Sequence, residues 1–134
     1  MIIDSSALVA VILRELDEAV YAHAILQSAQ PAMSAANWLE AAIIFDSRKL
    51  PEGRIRFEEV IADFRIEIVP VTLEIAERAR RAYQQFGRGN HPAKLNYGDC
   101  FAYATAAIRG EPLLYKGNDF AQTDIEPALK DKNA

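Results

Sequence analysis

A chain of 134 residues with 51% hydrophobic and 25% charged residues has the composition of an ordinary globular domain, which excludes disordered and fibrous proteins. The net charge of -4 argues against a protein whose whole surface binds nucleic acid, although a local basic patch is compatible with it. The single cysteine, Cys100, excludes an intrachain disulfide and favours a reducing, cytoplasmic location.

The N-terminal segment, MIIDSSALVAVILREL, has no basic region before its apolar residues, and Asp4 interrupts it at once, so it does not resemble a secretory signal. The longest apolar run, residues 7–13, is far shorter than the ~20 residues that a membrane span needs. No repeat or linker divides the sequence. We therefore expect residues 1–134 to form one domain that does not enter a membrane.

Short apolar strands alternate with helices along the sequence. In chain order, the sequence predicts a strand at 1–3, helices at 5–16 and 17–29, a strand at 32–34, helices at 35–49 and 54–65, a strand at 66–71, helices at 73–86 and 99–109, and a strand at 112–115. This alternation predicts an α/β fold with a largely parallel sheet packed between helices. Ligands of such folds bind beyond the carboxyl ends of the strands.

Two acidic residues lie just beyond the ends of predicted strands. Asp4 follows the first strand, and Asp119 follows the last one within the run Gly-Asn-Asp. Each has an ordinary structural explanation, because Asp is a favoured N-cap and a Gly-Asn-Asp run is common in turns. Both positions also lie where a parallel sheet presents its ligands.

Two further acids lie on predicted helices. Glu40 is the only polar residue between Trp38 and Phe45, and a glutamate on such an apolar stripe is seldom buried without a partner. Asp99 stands three residues after Asn96 at the start of an apolar helix, where it completes the helix cap, faces a polar site, or does both. Together with the two acids that follow strands, they indicate one shared cluster.

A cluster of four acids needs a positively charged partner. Two carboxylates ~4 Å apart repel each other by roughly 4 kcal/mol at an effective dielectric constant of about 20. The available ligands are oxygens, with no nearby set of cysteines or histidines, which favours Mg²⁺ or Mn²⁺ over zinc. We expect Asp4 and Asp99 to contact the cation most directly.

Five basic residues and no acid lie between positions 78 and 94, in the segment that leads to Asp99. They are Arg78, Arg80, Arg81, Arg88 and Lys94. They either guide a phosphate backbone toward the acids or form an ordinary solvated helix face. The two histidines, His23 and His91, fall in mid-helix and in a loop, so metal-free cleavage by histidine acid–base chemistry fits poorly.

Four segments resemble, in the same order, the PIN-domain ribonucleases of the VapC toxin type. They are MIIDSSALVAVIL, the pair Ser34 and Glu40, LNYGDCFAYATA and LLYKGNDFAQTDI, and the resemblance as a whole runs from Met1 to about Leu129. The resemblance implies a PIN fold, a short and mostly parallel sheet flanked by helices, in a single domain over residues 1–134. It also implies an endoribonuclease that depends on Mg²⁺ or Mn²⁺ and is the toxin of a toxin–antitoxin pair.

The resemblance also implies roles for residues and partners. By position, the residues that match the family's acidic quartet are Asp4, Glu40, Asp99 and Asp119. Ser6 matches the small hydroxyl residue that supports the site, and Asn118 and Asp124 fall in the matching C-terminal motif, where we expect them to support the ligands. The implied partners are an RNA substrate, a VapB-like antitoxin and a second copy of the chain.

Two other interpretations of the acids are open at this point. A phosphoacceptor signalling domain, similar to the receiver domains of response regulators, also has an acidic metal pocket in a small α/β fold. That class needs adjacent acids after the first strand, where this chain has Ser5 and Ser6, and an acceptor aspartate at the end of a middle strand. In a non-catalytic α/β binding module, the acids would only cap helices, and Mg²⁺ or Mn²⁺ would not stabilise the protein.

Overall fold

The computed structural model describes residues 1–51 and 56–130. Within these ranges, the strands are β1 (Ile2–Ile3), β2 (Ala32–Ser34), β3 (Glu67–Val69) and β4 (Leu113–Leu114). The α-helices are α1 (Ser5–Ile12), α2 (Glu18–Gln27), α3 (Ala35–Ser47), α4 (Phe57–Asp63), α5 (Leu73–Phe86) and α6 (Tyr97–Arg109), and a 3₁₀ turn at Phe120–Gln122 comes after β4. None of these helices is long and apolar enough to cross a membrane.

The strands form one parallel sheet in the order β3-β2-β1-β4. Ile2 of β1 pairs with Ala32 of β2 on one side and with Leu113 of β4 on the other. Because β1 and β4 are parallel neighbours, the residues that follow them, among them Asp4 and Asp119, emerge at the same edge of the sheet. The predicted parallel α/β sheet is confirmed.

Side chains of the sheet point alternately to its two faces, and helices cover both faces. Ile2 and Leu113 belong to one buried cluster, together with side chains of α5 and α6. Ile3 and Leu114 belong to a second cluster, together with side chains of α1, α2, α3 and α4. The sheet is therefore the middle layer of three, as its short and fully buried inner strands require.

Helix α1 ends at Ile12, whereas the sequence predicts a helix that continues to position 16. Arg14 adopts a left-handed backbone conformation with φ of 53°, and the Glu15 N–H donates to the Ala10 carbonyl at 2.9 Å, which closes the helix without a glycine. Glycine is the usual residue in this conformation, so the sequence pattern contained no sign of the break. The predicted helix at 54–65 is observed from Phe57, and its residues 54 and 55 lie outside the described ranges.

Candidate functional site

Asp4 lies at the carboxyl end of β1 and caps the first turn of α1. Its Oδ2 accepts hydrogen bonds from the Ser6 N–H at 3.0 Å and from the Ser6 hydroxyl at 2.5 Å. Asp4 is only 3% exposed, and its other oxygen, Oδ1, is buried without a hydrogen-bond partner among the described residues. Because a buried carboxylate oxygen without a partner is costly, it marks a position that a cation or a ligand would satisfy.

The pKa of Asp4 reflects both its burial and its neighbours. Burial raises this pKa to about 7, against the lowering effect of the Ser6 hydrogen bonds. The carboxylates of Asp99 and Glu40 contribute a smaller part of this rise, so these three acids repel one another when they are ionised. At neutral pH, such a carboxyl group is stabilised either by a proton or by a cation beside it.

Asp99 occupies the third position of α6 and closes the first turn of that helix. The Asn96 side chain accepts a hydrogen bond from the Asp99 N–H at 2.9 Å, and the Asp99 carboxylate accepts one from the Asn96 N–H at 3.0 Å. Burial and, to a smaller extent, the charges of Asp119 and Glu40 raise the pKa of Asp99 to about 6, against the lowering effect of the Asn96 hydrogen bond. The same side chain therefore caps the helix and faces the other acids.

Glu40 is held from two sides in the middle of α3. The Ser5 hydroxyl donates a hydrogen bond to Glu40 Oε1, and the Asn37 amide nitrogen lies 3.4 Å from the same oxygen. The Asn37 amide also donates to the Gly98 carbonyl at 3.0 Å, which links α3 to the first turn of α6. These contacts keep the Glu40 carboxylate at the N-terminal end of α6.

Gly98 gives the Glu40 carboxylate the room that it occupies. A β-carbon at position 98 would lie only 2.9 Å from Glu40 Cδ and Oε1, and closer still to Oε2. A larger residue fits there only if Glu40 moves away. The space that Glu40 needs thus explains why glycine, which has a poor helix propensity, stands in the first turn of α6.

Asp119 lies in the loop after β4, immediately before the 3₁₀ turn, and it is exposed. Its carboxylate is close enough to Asp99 to raise the pKa of that residue. Ser6 joins this loop to the start of α1, because its hydroxyl accepts the Lys116 N–H at 3.0 Å and donates to Asp4. The structure therefore brings all members of the predicted acidic quartet to one edge of the sheet.

The other predicted residues differ in their relation to the acids. Asn118 is exposed beside Asp119. Asp124 accepts a hydrogen bond from the Tyr103 hydroxyl of α6. Arg78 places its guanidinium over the Tyr103 ring, 5.1 Å from the ring centroid. The other four predicted basic residues are exposed, and they are Arg80, Arg81, Arg88 and Lys94.

The histidines and the cysteine have structural positions. His23 is exposed in the middle of α2. His91 Nδ1 accepts the Ala93 N–H at 3.0 Å, and its ring packs edge-on against Phe86 with centroids 5.1 Å apart, so this residue shapes the loop before α6. Burial raises the pKa of the Cys100 thiol to about 11, which keeps it protonated and unreactive.

The acidic quartet has the chemistry of a hard-cation site. In the described part of the chain, no three Asp, Glu, His or Cys side chains form a group that could hold a metal ion by itself. The unpartnered Oδ1 of Asp4 and the raised pKa values of Asp4 and Asp99 nevertheless mark a position that a cation would stabilise. Mg²⁺ commonly binds through one or two carboxylates and takes its other ligands from water and phosphate, so the residues present fit Mg²⁺ or Mn²⁺.

Sequence reasoning missed three residues that shape the site: Ser5, Asn37 and Gly98. Each of them acts on Glu40, through a hydroxyl hydrogen bond, an amide contact and the absence of a side chain, respectively. Asn37 precedes Glu40 by three positions, a spacing that places both on one helix face and that was available as a signal. No local pattern indicated Ser5 or Gly98, because their contacts with Glu40 cross between elements.

Comparison with known proteins identifies the family. Residues 1–126 match the family model of the PIN domain. Ribonuclease VapC28 of Mycobacterium tuberculosis is 45% identical over 130 residues, which cover 96% of this chain and 98% of that protein. Among solved structures, VapC20 of Mycobacterium tuberculosis, a sarcin–ricin loop cleaving toxin, matches with a TM-score of 0.69 and 14% identity over 94% of this chain and 98% of that one. A toxin–antitoxin complex from Klebsiella pneumoniae matches with a TM-score of 0.65 and 21% identity over 92% of each chain.

The chain therefore belongs to the PIN-domain family, among the VapC ribonucleases. This membership confirms the family and the fold that the sequence motifs predicted. It also confirms the predicted class of enzyme, a ribonuclease, over the phosphoacceptor domain and the binding module.

Proposed function

We propose that this chain is a single PIN domain that cleaves RNA internally, with Mg²⁺ or Mn²⁺ bound by its acidic quartet, and that it is the toxin of a toxin–antitoxin pair. The observation that carries the proposal is the buried Oδ1 of Asp4, which has no partner among the described residues and lies near two other carboxylates. The relatives named as VapC ribonucleases support the same activity.

Each acid has its own task in this proposal. Asp4, fixed through Oδ2 by Ser6, holds the cation with its free Oδ1. Asp99 offers its carboxylate from the start of α6, Glu40 is kept beside it by its hydrogen bonds, and Asp119 adds negative charge from the loop after β4. When bound, the cation would neutralise charge on the scissile phosphate and lower the pKa of the water used for hydrolysis.

Exposed basic and aromatic side chains of α5, of the loop that follows it and of α6 provide RNA contacts in this proposal. The basic ones, on α5 and in the loop that leads to α6, are Arg80, Arg81, Arg88 and Lys94. Tyr97 is 81% exposed in the first turn of α6, two positions before Asp99. Basic side chains attract the phosphate backbone and exposed aromatic rings stack on bases, so both suit an RNA strand that passes the quartet.

The proposed partners are a VapB-like antitoxin and a second copy of the chain. The matching structure from Klebsiella pneumoniae is a toxin–antitoxin complex, which supports an antitoxin partner. Large apolar side chains are exposed on α2 and α3, among them Val20, Leu26, Leu39 and Ile43, and such side chains suit protein contacts. We place this function in the cytoplasm, where the buried free Cys100 stays reduced.

Incubation of a total RNA pool with the purified chain tests this function. We expect discrete fragments in Mn²⁺, none in excess EDTA, and recovery of the same fragments when Mn²⁺ is added back. Cleavage that persists in EDTA would contradict the metal site. Intact RNA in Mn²⁺, with ribosomal, transfer and messenger RNA all present, would contradict the nuclease.

Gly98→Ala is expected to reduce RNA cleavage by about tenfold or more without destabilising the fold. The added methyl group displaces the Glu40 carboxylate, and mutation of such supporting contacts typically costs 10–100-fold. Alanine meanwhile favours the helix by up to ~1 kcal/mol relative to glycine. Cleavage rates and thermal melts of the variant measure the two effects. A variant that cleaves RNA like wild type would show that the position of Glu40 does not matter.

A further inference from the structure

The segment that carries Asp119 is fixed to the rest of the fold at several points. The 3₁₀ turn begins directly after Asp119, and its first residue, Phe120, is buried against Tyr115 with ring centroids 5.3 Å apart. Further along the chain, the Leu113 N–H donates to the Glu126 carbonyl at 2.9 Å. Asp119 itself is exposed, so its position depends on how this segment is held.

Between these two anchors, the segment makes a side-chain contact with α6. The Tyr103 hydroxyl donates a hydrogen bond to Asp124 Oδ1. Tyr103 is only 1% exposed, and its ring packs between Phe86 and the Arg78 guanidinium. Burial and the Asp124 hydrogen bond raise the pKa of Tyr103, which keeps its hydroxyl protonated as a donor. The buried core therefore adds a side-chain hydrogen bond to the two anchors of the segment.

The same helix also carries an acid of the quartet. Asp99 and Tyr103 are four residues apart on α6, so they lie on one face of the helix, one turn from each other. Asp99 is in electrostatic contact with Asp119, and Tyr103 binds Asp124, five positions further along the segment of Asp119. One face of α6 thus carries both the Tyr103 hydrogen bond to this segment and the Asp99 carboxylate that interacts electrostatically with Asp119.

We propose that Tyr103 is a positioning residue for the cation site, which acts through Asp124 to hold Asp119 beside Asp99. The proposal rests on the proposed function, because it needs Asp119 to contribute to cation binding. The proposal also gives Asp124 a specific role. Asp124 fixes the segment that carries Asp119 and does not contact the cation.

Calorimetric titration of Mn²⁺ into the RNA-free chain tests the proposal with Tyr103→Phe. This substitution keeps the buried ring and removes only the hydroxyl. We expect the variant to bind Mn²⁺ about tenfold more weakly than wild type, since supporting contacts around metal ligands typically contribute 10–100-fold. In an Asp119→Asn background, the same substitution should change binding by less than about twofold, because the contact acts through Asp119.

Two further comparisons separate positioning from a general loss of structure. Tyr83→Phe is the matched control, because it removes a hydroxyl that donates to the Arg88 carbonyl at 3.2 Å, and it should bind Mn²⁺ like wild type. Asp124→Ala should weaken Mn²⁺ binding as Tyr103→Phe does. Asp124→Asn, which keeps an oxygen that accepts the hydrogen bond of the Tyr103 hydroxyl, should bind Mn²⁺ like wild type. If Tyr103→Phe does not fold, the comparison of Asp124→Ala with Asp124→Asn still tests the proposal.

Several outcomes would overturn the proposal. If Tyr103→Phe binds Mn²⁺ with wild-type affinity, the Tyr103 hydroxyl does not help to position the cation site. If Tyr103→Phe lowers the Mn²⁺ affinity equally in the wild-type and Asp119→Asn backgrounds, Tyr103 does not act through Asp119. Equally weak binding in Asp124→Asn and Asp124→Ala would show that the Asp124 charge itself holds the cation. Wild-type protein that binds no Mn²⁺ would instead overturn the proposed metal dependence, and this inference with it.

Discussion

Asp99→Asn is expected to reduce RNA cleavage by about a thousandfold or more while leaving the cap of α6 in place. The asparagine keeps an oxygen that accepts the Asn96 N–H hydrogen bond, but it removes the charge that holds the cation beside Asp4. A bound cation contributes several kcal/mol to transition-state stabilisation, and each 1.36 kcal/mol is a factor of about ten in rate. The loss of this one charge therefore outweighs every other effect of the substitution.

The same variant is expected to be more stable than wild type at pH 8 in EDTA, by about 1 kcal/mol. Burial and two neighbouring carboxylates raise the pKa of Asp99 to about 6, so its ionised form destabilises the metal-free fold. Asp99 is partly exposed, so solvent screening reduces the stability gained by its substitution. Urea unfolding at pH 8 measures it, with Asp63→Asn as the control at an exposed acid of α4. Cleavage by Asp99→Asn at more than a tenth of the wild-type rate would refute the role of Asp99.

The metal-free protein is expected to lose stability as the pH rises from about 4 to about 7, largely because of Asp4. The pKa of Asp4 is about 7 in the native protein and 3.8 without the effects of the fold. Between these values, native Asp4 retains a proton that the unfolded chain has released, so the free energy of unfolding falls as the pH rises. A shift of this size corresponds to roughly 4 kcal/mol at most.

Chemical unfolding of wild type and Asp4→Asn in EDTA between pH 4 and 8 measures this effect. Asparagine is an equally good N-cap, so the variant keeps the cap of α1. The stability of wild type relative to Asp4→Asn should fall up to pH 7 and then level off. The control is Asp46→Asn, which removes an exposed acid of α3 and should follow the wild-type curve. If the difference between wild type and Asp4→Asn does not change with pH, the raised pKa of Asp4 is wrong.

The fold could be predicted where local signals agree with each other. The helix predicted at 73–86 is observed with those bounds, because the Thr72 hydroxyl accepts the Ile75 N–H at 3.2 Å and Gly87 follows the last turn. The early end of α1 could not be predicted, because it depends on a left-handed Arg14 that no propensity favours. Helix ends that are set by capping residues could therefore be predicted from the sequence, and a helix end that is set by tertiary contacts could not.

Three of the four acids could be found because they stand at positions that parallel sheets use for ligands, and Glu40 could be found because it is the only polar residue in an apolar stripe of its helix. Asp4 and Asp119 follow neighbouring strands, and Asp99 begins a helix behind a capping Asn96. The residues that fix them could not be found in this way. The contact of Ser5 with Glu40 spans 35 positions, and its importance appears only when α1 and α3 are packed together.

The most direct test of the shared cation site is calorimetric titration of Mn²⁺ into the RNA-free chain at pH 8, with one variant for each acid of the quartet. The variants are Asp4→Asn, Glu40→Gln, Asp99→Asn and Asp119→Asn, with Asp63→Asn as the control. We predict that wild type and the control bind Mn²⁺ alike and that each quartet variant binds it about tenfold or more weakly. Quartet variants that bind Mn²⁺ like wild type, or wild type that binds none, would contradict the shared site.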